Sequence, residues 1–365
     1  MIVNRNHETM TSKERVQQAI NHGKPDRVPI NYLTNDAIDK RLKSYLGLKH
    51  DDNEGLLQTL GVDFRNMWAH YTREPLHVST REDRMVDALH GWVMRYIAND
   101  SGGYWDFCDF PLIDADEEMV ARWPFPDANH FDYDGLLANV KANKDNALVL
   151  GNAGIGCVIN TIGFLRGMEQ TLIDLITDDP AGLMLIEKLM NSQLQKLERE
   201  LDKVGKFVDI VNIGEDLGTQ HTPLVSREIL HKHLLPWHKK FIDMATAYNV
   251  PVMMHTCGSS SWAYEDYIAA GLKGVETLQP EATNMSARYL KDTFGGRLFF
   301  HGGISTAGAL AYGTVDDITK DASNVLEILM PGGGCIFSPA HQIQDNTPVE
   351  NVVAMYNVAH TVGRY

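Results

Sequence analysis

Short runs of β-branched and apolar residues alternate along the chain with longer stretches whose apolar positions recur every three or four residues. The first pattern marks strands and the second marks helices. The most regular helix is expected over 183–204, where Leu183, Ile186, Met190, Leu194, Leu197, Leu201 and Val204 form one apolar face and Gly205 ends it. Thr11 and Glu14 form a capping box ahead of Val16, Ala19 and Ile20, which starts a first helix there. Strands are expected at 28–32, 62–68, 148–151, 208–213, 250–255, 274–278, 298–301 and 335–337. Pro29 suits the first of these only near its start. Strands alternating with helices imply parallel pairing through right-handed crossovers. Eight of them point to the α/β class and a (β/α)₈ TIM barrel. An open doubly wound sheet competes, but it calls for a Gly-rich phosphate turn that is not found.

The rhythm breaks once. Phe64, Trp68, Tyr71, Trp92, Tyr96, Tyr104, Trp105, Phe107 and Phe110 crowd one stretch, against 8% aromatics overall. This reads as an insertion at about 70–145, after the second strand, within a single domain spanning 1–365. It forms either a small accessory core or an apolar lid for an aromatic substrate.

Composition narrows the function classes. Hydrophobic residues make up 44% and charged residues 22%, as in a globular protein with a sizeable core. A net charge of −15 argues against a nucleic-acid partner and against an anionic membrane surface. The polar first fifteen residues do not resemble a signal peptide, and no apolar run is long enough to span a bilayer. A cytoplasmic location is therefore expected. There, disulfides among Cys108, Cys157, Cys257 and Cys335 are disfavoured.

The richest chemistry lies in Val250-Pro-Val-Met-Met-His255-Thr-Cys257-Gly258. Residues i and i+2 of a strand share a side, so His255 and Cys257 project together at the end of a barrel strand, where barrel active sites are built. Cys335, after Gly332-Gly333-Gly334, is the candidate for a third ligand. A His/Cys/Cys set suits zinc and leaves one position open. The competing reading is a core cysteine beside a hydrogen-bonded histidine. Glu215, at the end of the preceding strand, is a candidate general base or fourth ligand, whereas its neighbour Asp216 reads better as a cap for a helix near Ser226. Tyr32, Asn152, Gln220 and His301, at or beyond predicted strand ends, are candidates for substrate contact. His301 and His341 read equally as hydrogen-bonded structural histidines. Cys108 and Cys157 have no partner at ligand spacing and read as core.

These residues resemble the uroporphyrinogen decarboxylase superfamily, and within it the zinc-dependent, corrinoid-linked methyltransferase branch. The similarity runs through Thr11-Ser-Lys-Glu-Arg-Val16, Lys24-Pro-Asp-Arg-Val-Pro29, Gly214-Glu-Asp-Leu-Gly-Thr-Gln220 and His255-Thr-Cys-Gly258. It continues through His301-Gly-Gly-Ile304, Gly332-Gly-Gly-Cys-Ile336 and Thr347-Pro-Val-Glu-Asn351. No arginine lies between Arg27 and Arg41, where the decarboxylases carry an arginine-rich segment for porphyrinogen carboxylates. The resemblance implies a (β/α)₈ barrel with zinc on His255, Cys257 and Cys335. It implies methyl transfer between a small substrate and cobalamin carried by a separate corrinoid protein, since this chain has no Asp-x-His-x-x-Gly segment. It allows a homodimer without requiring one.

The aromatic segment favours an aromatic methyl ether as donor over a thiol as acceptor. A zinc hydrolase with Glu215 as base, a scaffold with structural zinc and a decarboxylase of a small acid stay open as alternatives.

Overall fold

The computed structural model describes residues 8–100 and 102–365. Seven strands form one parallel sheet in chain order: β1 (Phe64–Met67), β2 (Ala147–Gly151), β3 (Ile210–Gly214), β4 (Val252–His255), β5 (Gly274–Glu276), β6 (Phe299–Ile304) and β7 (Cys335–Pro339). The sheet is curled, and Phe64 of β1 meets His301 of β6 edge to face at 5.9 Å.

Segment 28–32, expected as the first strand, makes a single bridge, Ile30 to Phe337 of β7. It nevertheless joins the two sheet edges. Phe337 donates to Pro29 O and Asn31 N donates to Phe337 O, while Asp63 N, just before β1, donates to Ile30 O. Pro29 has no N–H for a ladder. The Ile30 N–H goes to the Asp63 carboxylate at 2.8 Å instead of to a strand carbonyl.

Strand alternation sorts the side chains. Phe64, Ala147, Val149, Ile210, Met253, Phe299 and Ile336 meet in one cluster on the concave face. Helix α1 (Ser12–Ile20) adds Val16 and Ile20 to it. This helix covers the end where the strands begin, with Lys13 bonded to Asp209 just before β3. Its start carries the reciprocal Thr11–Glu14 box. Buried Arg15 and Arg27 share Asp63 and tie the helix to the sheet, an arrangement in which each charge is paired. Convex-face residues pack against the helices in the main core.

Three further helices matter below: α2 (Ile159–Arg166), α3 (Pro180–Val204) and α4 (Leu235–Ala247). The apolar stripe expected over 183–204 starts earlier in the structure, because Asp179 caps the Gly182 N–H and Pro180 takes the first turn.

Between β1 and β2 lies a separate layer. It holds a three-stranded antiparallel sheet, Met85–Val86, Val93–Asn99 and Gly102–Phe107, and the helices Glu117–Arg122 and Tyr133–Ala142. Among the described residues, no helix is long and apolar enough to cross a membrane.

Candidate metal centre

His255 ends β4, and Cys257 follows two residues later on the same side. His341 arrives from the loop after β7. One ligand atom from each of the three lies within 4.8 Å of the others, and all three residues are partly exposed. His255 Nε2 stands 3.4 Å from Cys257 Sγ, and the two imidazole rings have centroids 5.7 Å apart.

Two carboxylates surround this cluster. Asp216 Oδ1 accepts the Cys257 N–H at 3.1 Å, while its Oδ2 is held by Asn160 Nδ2 at 2.7 Å. Glu276 Oε1, at the end of β5, lies 2.9 Å from His255 Nδ1 and accepts from Asn212 Nδ2 at 3.0 Å. Burial works against the charge on Glu276, but the His255 hydrogen bond and the positive potential of both histidines lower its pKa to about 2. His255 is shifted the other way: burial opposes its charged form, and Glu276 more than offsets that. Burial and the Asp216 charge push the Cys257 thiol far above its ordinary range. Burial and the neighbouring His255 lower His341. Two acids facing a thiol and two imidazoles form a mismatched set that a divalent cation would reconcile, because it stabilises the thiolate and the neutral rings together. The residues present therefore fit a metal ion.

Two glycines let the two site loops touch. A Cβ on Gly258, whose φ is +69°, would stand 2.1 Å from Gly218 O, and one on Gly218 would stand 2.4 Å from Ser259 N. Only glycine accommodates both demands.

The other sequence candidates distribute differently. Cys335 is not in the cluster. It opens β7, and its neighbour Ile336 takes the concave face, so alternation turns Cys335 outward into the helix-packed core near Lys291 and Tyr365. His341, six positions further on, stands where Cys335 was expected. Glu215 is likewise turned away. It accepts from Val158 N at 2.8 Å and Ile159 N at 3.1 Å at the start of α2, and His238 of α4 lies 3.4 Å away. Its chemistry is that of a buried helix cap. Glu215 rather than Asp216 is the helix cap, and it is Asp216 that lies at the cluster. Cys157 is buried beside Glu215, and Cys108 is buried in the insertion.

His301 is fully buried on the concave face, one strand beyond Glu276, with its Nε2 2.9 Å from Asn31 Nδ2. Tyr32 donates to Asp39 at 3.1 Å. Asn152 caps a turn through Gly154 N and lines a small pocket with Met67, Trp68 and Lys196. Gln220 is exposed, and its backbone accepts from Thr283. None of these three contacts the cluster. Glu276 is the residue that sequence reasoning overlooked. Its signal is a lone acid in an apolar strand, Gly274-Val-Glu276, where a carboxylate needs a dedicated partner.

Comparison with known proteins agrees with this architecture. The model of the uroporphyrinogen decarboxylase (URO-D) family matches residues 140–362. Among solved structures, a methyltransferase from Methanosarcina mazei superposes with a TM-score of 0.64 at 17% identity, covering 96% of this chain and 98% of that one. At that identity the likeness is one of fold. A D-psicose 3-epimerase (TM-score 0.34, 15% identity, 61% of this chain and 77% of that one) is too distant to bear on function. The same holds for an endo-1,4-beta-xylanase of Penicillium canescens (0.31, 11%, 55% and 77%). No curated protein matches the chain.

Proposed function

The chain belongs to the uroporphyrinogen decarboxylase family, and from that premise we propose that it is a methyltransferase working at a zinc ion held by His255, Cys257 and His341, at the strand ends of a (β/α)₈ barrel. The observation that carries this reading is the convergence of three donor atoms from two separate strand ends within 4.8 Å. A nitrogen–nitrogen–sulfur set is zinc-like, and three protein ligands leave a position for substrate. Bound there, zinc supplies a Lewis acid that draws electron density from a substrate oxygen or sulfur.

The chain's own residues do the rest. Asp216 grips the Cys257 backbone and holds the ligand loop in place. Glu276 orients His255. The insertion hairpin supports an aromatic methyl ether as substrate. Met94 pairs with Phe107 and Tyr96 with Trp105, which puts all four on one face. Phe107 stacks on Phe164 of α2 at 3.5 Å, which packs that face of the hairpin against α2. At the far end, a Cβ on Gly102 would lie 3.9 Å from Ala37 and 4.0 Å from Asp345. The hairpin therefore runs from α2 to the helix Asp36–Tyr45 and the loop after β7. Half-exposed Tyr96 and Trp105 lie between these contacts and offer an aromatic surface. The methyl acceptor would be the cobalamin of a separate corrinoid protein, with the substrate oxygen keeping the electron pair of the broken carbon–oxygen bond and leaving as the phenolate.

A hydrolase would need a free base beside the metal. Glu215 is committed to α2 and Asp216 to Cys257, which weakens that reading.

The test is zinc content, followed by demethylation of methoxyaromatics with and without a corrinoid protein. About one zinc per chain and strictly corrinoid-dependent turnover support the proposal. Turnover without the corrinoid protein replaces it with hydrolysis, and absence of zinc removes the metal.

A further inference from the structure

Beneath the metal cluster, donors from two sides converge on one buried carboxylate, Glu276. We propose that Glu276, with Asn31 and His301 behind it and Asn212 beside it, forms a polar network whose donors converge on its carboxylate and which holds His255 with a proton on Nδ1, so that its Nε2 faces the metal position. The inference rests on the metal centre proposed above and assigns positioning roles to residues outside the ligand set.

The direction is set at Asn31. Its Oδ1 accepts the Tyr32 N–H at 2.8 Å, which leaves the amide nitrogen facing His301 Nε2 at 2.9 Å. An amide NH₂ can only donate, so His301 Nε2 must accept. Neutral His301 then carries its proton on Nδ1, 3.2 Å from Glu276 Oε2. That contact is off-line, and its pull is mainly electrostatic. The other oxygen of Glu276 accepts from Asn212 and faces His255 Nδ1 at 2.9 Å. An ionised carboxylate only accepts, so the hydrogen of His255 sits on Nδ1. The bare Nε2 is the atom 3.4 Å from Cys257 Sγ.

Backbone strain marks the same place. Thr277 has φ of +67°, a conformation that β-branched residues rarely adopt, and it is buried. Its Oγ1 stands 2.8 Å from His255 Nδ1, so the strained residue holds the same nitrogen as Glu276. Strain of this kind persists where a site requires the geometry.

The test reads tautomers and metal affinity separately. In metal-free protein labelled with ¹⁵N-histidine, NMR is expected to show His255 and His301 both protonated on Nδ1, opposite to the preference of a free histidine side chain. Asn31→Asp, nearly isosteric, cannot donate and is expected to move the His301 proton to Nε2. Glu276→Gln and Thr277→Val are expected to weaken zinc binding, the first by about 10–100-fold and the second by less. Both should alter the visible spectrum of the cobalt-substituted protein. His301 protonated on Nε2 in the wild type would overturn the proposal. So would zinc affinity and cobalt spectra unchanged in both variants. A wild type that binds no zinc removes the metal centre, while the tautomers still judge the chain.

Discussion

Glu215 and Asp216 are consecutive, yet their carboxylates serve opposite sides of the strand end. Glu215 Oε2 takes the Val158 N–H at 2.8 Å inside the helix layer, and Asp216 Oδ1 takes the Cys257 N–H at 3.1 Å at the metal cluster. The two should therefore separate stability from metal binding. Glu215→Ala strands buried donors and should cost about 1–3 kcal/mol, measured by denaturant unfolding, with zinc affinity unchanged. Asp216→Ala should leave stability nearly intact and weaken zinc binding about tenfold or more, measured by chelator competition.

The same logic divides Cys335 from His341. His341→Ala and Cys257→Ser should each reduce zinc far below one per chain by elemental analysis. Cys335→Ser should retain it and lose about 1–3 kcal/mol for burying a hydroxyl in apolar core. Zinc lost on changing Cys335 alone would contradict the assignment.

Much of this centre was legible in the residues. The pairing of His255 with Cys257 follows from strand periodicity alone, and the structure keeps it. Cys335 is outside the cluster because the phase of its strand, not its chemical type, decides which way it faces. Cys335 has a better zinc-binding side chain than His341, but a one-residue offset sends it to the other face of β7. Glu215 fell to the same rule. The chain between Asn31 and His255 could not be read at all, because Asn31, His301 and Glu276 come from three separate segments joined only by curling of the sheet. The insertion was visible as an aromatic-rich stretch, but its hairpin register depends on pairing that no local pattern specifies.

Stability should decline as pH falls, with His360 and Asp26 contributing in different windows. Burial, against a hydrogen bond to Leu60 O, keeps His360 neutral to about pH 4 rather than its ordinary 6.5. Its folded pKa is depressed, so its contribution is full above about 6.5 and is lost as pH falls toward 4. Burial opposes the charge of Asp26, but Arg15 and the N–H groups of Thr9 and Met10 hold its pKa at about 2 instead of 3.8. Its contribution is full above 3.8 and disappears toward pH 2. Stability measured against pH should fall between 6.5 and 4, where His360 acts together with His301 and His341, and His360→Gln should lessen that fall while leaving the Asp26 contribution below 3.8 unchanged.

Trp105 and Tyr96 meet edge to face at 5.6 Å, with both rings about half exposed. Trp105→Ala should therefore change thermal stability little. An aromatic contact is worth about 0.5–1.5 kcal/mol, so KM for a methoxyaromatic should rise roughly 2–10-fold, with zinc content unchanged. A fall in kcat with KM constant would place the hairpin's role elsewhere.

Gly218 and Gly258 bring no reactive group, yet the loops bearing Asp216 and Cys257 meet backbone to backbone only because both lack a Cβ. Exchanging one donor for another leaves those loops where they are, whereas one added methyl does not. As the sequence drifts, the site can change its chemistry more readily than it can change its clasp.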